Sequence, residues 1–133
     1  GIAAQIANTE ADLLKSGSAN AKAVATRLKA AREAFLNVVD FVVAGAKASP
    51  NAVFAGSVPY LMLTGNLVAG WQMGRALLVA EAELAKSNDA VFMQSKITTA
   101  RFYADHILTK VPGMRDSIVD GADSVTEMAL DAF

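Results

Sequence analysis

One stretch of the chain contains residue types that could carry out chemistry: ITTARFYADHILTKVPG, residues 97–113. It holds the chain's only histidine close to arginine, aspartate, tyrosine and lysine, and such a histidine can act as a general base or a metal ligand. However, Arg101 and Asp105 are four residues apart, a spacing typical of an ion pair on a helix surface. His106 also lacks the Glu-x-x-His partners from which helical bundles build metal sites. The stretch is therefore interpreted as a helix with one buried side.

Apolar residues in and before this stretch indicate which side is buried, because they alternate between spacings of four and three. They are Met93, Ile97, Ala100, Ala104, Ile107 and Val111. The polar residues flank this seam, where a lone histidine is more often a hydrogen-bonded structural residue than a catalyst. Arginine and tyrosine are enriched where protein surfaces meet, so Arg101, Tyr103 and His106 form a candidate interface with another protein surface.

The sequence lacks the residues and motifs of several other catalytic classes. The chain has no cysteine, which excludes thiolate chemistry and disulfides and is compatible with a reducing, cytoplasmic compartment. It has no G-x-S-x-G elbow and no G-x-G-x-x-G or Walker-type phosphate loop. Asp40, among Phe41 and valines, is the one acid of interest, although a solvated aspartate is the simpler interpretation. We therefore assign no catalytic, cofactor-binding or metal-binding residue.

The composition predicts one folded domain over residues 1–133, with 53% hydrophobic and 19% charged residues. A net charge of −1 without runs of like charge gives no basis for nucleic-acid binding. Residues 52–74 carry no charge and are long enough to span a membrane. The single proline, the glycines and the amides of this segment, and the missing aromatic and basic flanks, argue against that interpretation. We expect no membrane segment.

Helical periodicity extends through the whole chain and predicts an all-α, up-and-down bundle of four to five helices. The expected helices cover about residues 2–15, 19–48, 51–86, 89–111 and 114–132, with Ile2, Ile6 and Leu13 inward in the first. The second has a seam of Val24, Leu28, Ala31, Phe35, Val38 and Val42. We expect a kink near Pro59 and a helix end at Pro112-Gly113.

Small residues four apart in the third predicted helix suggest close packing of a neighbouring helix. They are Gly65 with Ala69, and Gly70 with Gly74. Gly70 and Gly74 are the positions at which we expect the closest approach.

Two long segments resemble the extra C-terminal domain of one branch of the bacterial acyl-CoA dehydrogenases. They are SVPYLMLTGNLVAGWQMGRALLVAEAELA, residues 57–85, and FMQSKITTARFYADHILTKVPGMRDSIVDGA, residues 92–122. The most specific parts are GWQMGRALL and ARFYADHIL followed by Pro-Gly. The branch includes enzymes that act on 3-methylmercaptopropionyl-CoA.

The resemblance implies a C-terminal fragment of an FAD-dependent, homo-oligomeric acyl-CoA dehydrogenase, in which this domain packs on the catalytic body or the dimer interface. The first residue is not methionine, which fits an excised or processed chain. In that family a glutamate after a Tyr-Glu-Gly type segment removes the α proton, and this sequence lacks such a segment, so no cofactor is expected here. The alternatives are a free-standing helical interaction module and, less well supported, a membrane-attachment extension.

Overall fold

A computed structural model describes residues 1–48, 57–86 and 88–124. This part of the chain is helical, with α1 at Ile2–Ser16, α2 at Ala19–Ala48, α3 at Ser57–Ala85, α4 at Ala90–His106 and α5 at Val111–Val119. A 3-10 turn, Leu108–Lys110, joins α4 to α5. The all-α prediction is confirmed, and the predicted bounds of α2 coincide with those observed.

Contacts between α1, α2 and α3 set the direction of these helices. Glu10 of α1 pairs with Arg32 of α2, and a connection of only two residues separates the helices, so they run antiparallel. Gly17 in this connection has φ of +76°, a left-handed conformation that favours glycine. Phe35, in the second half of α2, stacks on Tyr60 at the start of α3. The third helix therefore returns along the second.

The second half of the bundle continues the alternation. Tyr103, near the end of α4, is bonded to Asn66 in the first half of α3, so these helices are also antiparallel. Beyond the 3-10 turn, Arg115 of α5 reaches Asn37 of α2. The helices α2 and α3 each contact every other helix of the described part of the chain.

The core consists of aliphatic side chains at helical spacing on the inner side of each helix. From α2 it takes the predicted residues Val24, Leu28, Ala31, Phe35 and Val38, whereas Val42 is half-buried. From α1 it takes Ile6 and Leu13, but Ile2 is 39% exposed, so the prediction of an inward Ile2 is wrong. Ile2 is the first residue of the helix, at its exposed end.

The predictions at the three prolines have different outcomes. The sequence Ser49-Pro50-Asn51 also predicts a turn, and this turn and the predicted start of the third helix lie outside the described residues. Pro59 is the third residue of α3, where a missing N–H removes no hydrogen bond from the helix. The predicted helix end at Pro112-Gly113 is wrong, because Pro112 lies in the first turn of α5. Proline fits the first turn of a helix as well as the segment after one, so Pro-Gly alone did not determine which occurs here.

The helix break at His106 also shifts the buried face. Ile107 was predicted to be interior but is only half-buried, whereas Leu108 is 1% exposed. A 3-10 turn has three residues per turn and rotates the chain differently from an α-helix. The inward position consequently moves from Ile107 to Leu108, and Val111 is again fully buried.

Candidate functional site

The residues of the candidate interface differ in how much of their surface is available. Arg101 binds Asp105 within α4, with Nε 2.8 Å from Oδ2, and also donates to the side chain of Asn20 on α2 at 3.1 Å. His106 is exposed and lies against the exposed ring of Phe102, with ring centroids 4.4 Å apart and the ring planes tilted by 37°. Arg101 therefore already connects two helices of the bundle, whereas His106 and Phe102 face solvent.

Tyr103 is tied to the interior. Its hydroxyl donates to the backbone carbonyl oxygen of Asn66 on α3 at 2.9 Å, and its ring packs against the core. Burial raises the pKa of Tyr103 above its ordinary value, since the phenolate would lose solvation. A neutral phenol with its proton engaged by a carbonyl is poorly placed to act as an acid or base. In this structure Tyr103 joins α4 to α3.

The glycines of α3 lie where a neighbouring helix approaches. A Cβ atom built on Gly70 would lie 2.5 Å from Cδ2 and 2.9 Å from Cγ of Leu108, a contact that real side chains do not tolerate. On Gly74 it would lie 3.3 Å from Cδ1 of Leu13, which is tight. On Gly65 it would meet nothing within 4 Å, so the expected close approach at Gly65 is wrong. The space for Leu108 depends on the missing side chain at Gly70.

We expect Gly70→Ala to lower the free energy of unfolding by about 1 to 3 kcal/mol, as overpacking of a core does. Gly65→Ala is the matched control in the same helix and should raise it by about 0.5 to 1 kcal/mol, because alanine loses less backbone entropy. Urea unfolding followed by circular dichroism measures both. Equal stability changes in the two variants would contradict the proposed packing role of Gly70.

A polar layer crosses the core at α1, and the sequence analysis missed it. Glu10 is 6% exposed and receives two bonds from Arg32, Nε to Oε2 at 2.6 Å and Nη2 to Oε1 at 3.1 Å. The bond to Glu10 raises the pKa of Arg32, so its charge is fixed. Glu10 lies about one helical turn after Ile6 and one turn before Leu13, which are both buried. This spacing was the signal in the sequence that Glu10 points inward.

A second pair extends this layer to α3. The indole N–H of Trp71 donates to the hydroxyl of Thr9 at 2.9 Å, and Arg75 lies over the Trp71 ring at 5.5 Å. Glu81, further along α3, accepts bonds from the hydroxyls of Ser16 and Ser18, and the Ser18 hydroxyl caps the amide of Ala21. These polar side chains thus hold α1, α2 and α3 in register.

The described surface offers little for catalysis. An open groove of about 600 Å³ between α3 and α4 is lined by uncharged residues, namely Leu84, Ala90, Val91, Gln94, Ser95, Thr98 and Thr99. No cluster of three histidine or acidic residues suited to a metal ion occurs in the described ranges. Asp40 is exposed, and among the helices described none has the length and apolarity to cross a membrane.

Comparison with known proteins places this bundle among enzyme domains. The profile of one family, described as acetyl-CoA dehydrogenase C-terminal like, matches residues 2–129. A 3-methylmercaptopropionyl-CoA dehydrogenase of Ruegeria pomeroyi is 48% identical over 129 residues, which cover 97% of this chain and 22% of that protein. The broad-specificity linear acyl-CoA dehydrogenase FadE5 of Mycobacterium tuberculosis is 32% identical over 81 residues, covering 59% of this chain and 13% of that protein. No solved structure matches significantly.

Proposed function

We propose, from the premise that this chain belongs to the acetyl-CoA dehydrogenase C-terminal-like family, that it is a helical accessory domain of an FAD-dependent acyl-CoA dehydrogenase. The observation that carries the proposal is the match to nearly the whole chain by a relative named as such a dehydrogenase, of which it spans only 22%. The whole bundle of residues 1–133 would be one domain of a much longer polypeptide.

The proposed reaction is dehydrogenation of an acyl-CoA thioester between its α and β carbons. In the parent enzyme, a base of the catalytic body would take the α proton, and the flavin, held outside this chain, would supply the acceptor for the β hydrogen as a hydride. Glu10, which is buried and held by Arg32, and Asp105, which is paired with Arg101, are poorly suited to be that base. We propose that the domain contributes structure around the catalytic body.

The partners follow from this assignment. The principal partner is the remainder of the parent chain, and we propose a homo-oligomeric, cytoplasmic enzyme by resemblance to the family. Arg101, Tyr103 and His106 stay a predicted interface, of which His106 with Phe102 is the solvent-exposed part. The relative from Ruegeria pomeroyi favours a short acyl-CoA such as 3-methylmercaptopropionyl-CoA as the substrate to try first.

We expect the 133-residue chain, produced alone, to fold without binding FAD and without reducing an electron-accepting dye in the presence of acyl-CoA. The physical reason is that the sequence lacks the Tyr-Glu-Gly type segment that carries the family's catalytic base and has no phosphate-binding glycine motif. Circular dichroism, flavin absorbance and dye reduction measure the three properties. The longer parent polypeptide is the control and should show all of them. Flavin retained by the isolated chain would contradict the assignment.

A further inference from the structure

The outer side of α3 is apolar and largely exposed in the described part of the chain. Its core side carries the fully buried Leu63, Leu67 and Leu77. On the opposite side, exposed fractions reach 64% for Val58, 67% for Leu61, 57% for Met62 and 62% for Val79. Gly65 and Ala69 share this side by their spacing of three and four residues, and we call the line from Val58 to Val79 the outer face of α3.

This face differs from the solvent side of α2. There, the exposed positions include Lys22, Lys29, Glu33 and Asp40, as expected for a helix that faces water. Along the outer face of α3, no charged residue occurs before Arg75, which lies at its edge over Trp71. A helix that is apolar on both sides is normally buried on both sides. The outer face of α3 therefore has the character of a covered surface.

We propose that the outer face of α3 docks on an uncharged, apolar surface of the catalytic portion of the parent polypeptide. This proposal rests on the proposed function. The chain spans 22% of the relative that it matches over nearly its full length, so most of such a protein is available to cover the face. Because the face lacks charge, the complementary surface should also be apolar and wide enough for one helix.

The size of the face favours a tethered partner over a second copy of the chain. Its four exposed side chains present roughly 300 to 600 Å² of apolar surface, comparable to the largest patch on a typical monomer. An interface between independent proteins needs about 800 Å² from each partner. Covalent linkage raises the effective concentration to about the millimolar range, at which a smaller surface suffices. The face also lacks the basic rim with which helices bind anionic membranes.

The test is Leu61→Asp in the parent polypeptide, with Val91→Asp as the matched control, since Val91 is a valine on α4 that is 85% exposed. If the face docks, the buried aspartate should release the domain, and limited proteolysis at the junction before Gly1 should accelerate at least about tenfold. Val91→Asp should leave the cleavage rate unchanged. In the isolated chain, Leu61→Asp should unfold at the same temperature, because Leu61 faces solvent there.

Three results would overturn the proposal. The first is an equal cleavage rate for Leu61→Asp, Val91→Asp and the unsubstituted parent. The second is an isolated chain that sediments as a dimer and becomes monomeric on Leu61→Asp, which would assign the face to a second copy. The third is co-sedimentation with phosphatidylcholine vesicles that Leu61→Asp abolishes. A different result would contradict the proposed function itself: an unsubstituted parent polypeptide that does not oxidise acyl-CoA.

Discussion

Replacing Glu10 by leucine should lower the free energy of unfolding by about 3 kcal/mol or more, because it leaves the Arg32 guanidinium in the interior without its partner. The side chain of Glu10 is 8% exposed, and the side chain of Arg32 is 19% exposed. The two bonds between them are charge-assisted and bidentate, the strongest arrangement for such a pair. Without Glu10, the partly buried guanidinium loses both of these charge-assisted bonds.

The double variant Glu10→Leu with Arg32→Met separates this penalty from simple loss of packing. Apolar side chains of similar volume should recover most of the stability, since no charge stays buried. Asp105→Ala is a matched control at the surface, where the Arg101 pair is more than a third exposed and should be worth less than about 1 kcal/mol. Urea unfolding measures all variants. A Glu10→Leu chain as stable as the original would contradict the buried pair.

Leu108→Ala should cost about 2 to 5 kcal/mol, the range for truncating a fully buried leucine. Its side chain fills the space above Gly70 and joins the 3-10 turn to α3. Ile107→Ala is the matched control, because the neighbouring Ile107 is only half-buried and should cost distinctly less. The free energies from urea unfolding decide between them. A larger loss of unfolding free energy for Ile107→Ala than for Leu108→Ala would contradict the 3-10 turn and support the uninterrupted helix that the spacing predicted.

The long helices could be predicted from the sequence where a single local pattern determines the secondary structure and the buried side. In α2, five consecutive seam residues from Val24 to Val38 are all buried as predicted, and the helix occupies the expected range. Prediction failed where local signals permit two results. Pro112-Gly113 suits both the end and the start of a helix, and only the packing of Leu108 against α3 distinguishes them.

The candidate site was less predictable because its partners are distant in sequence. Arg101 and Tyr103 look like solvent-facing polar residues, yet their partners Asn20 and Asn66 come from other helices. The sequence did not indicate that Glu10 is buried, because an acid is expected inside an apolar seam only when a cation such as Arg32 lies opposite to it. The uncharged run of α3 was visible, but its division into a core side and an outer face required the packed bundle.

The most direct test of the central claim uses the parent enzyme from which residues 1–133 have been deleted. If this chain is an accessory domain that packs on the catalytic body, the truncated enzyme should unfold at a lower temperature and oxidise acyl-CoA more slowly. Addition of the isolated chain as a separate protein should restore both properties, whereas the Leu61→Asp chain should not. A truncated enzyme with unchanged stability and activity, which also fails to bind the added chain, would contradict the account.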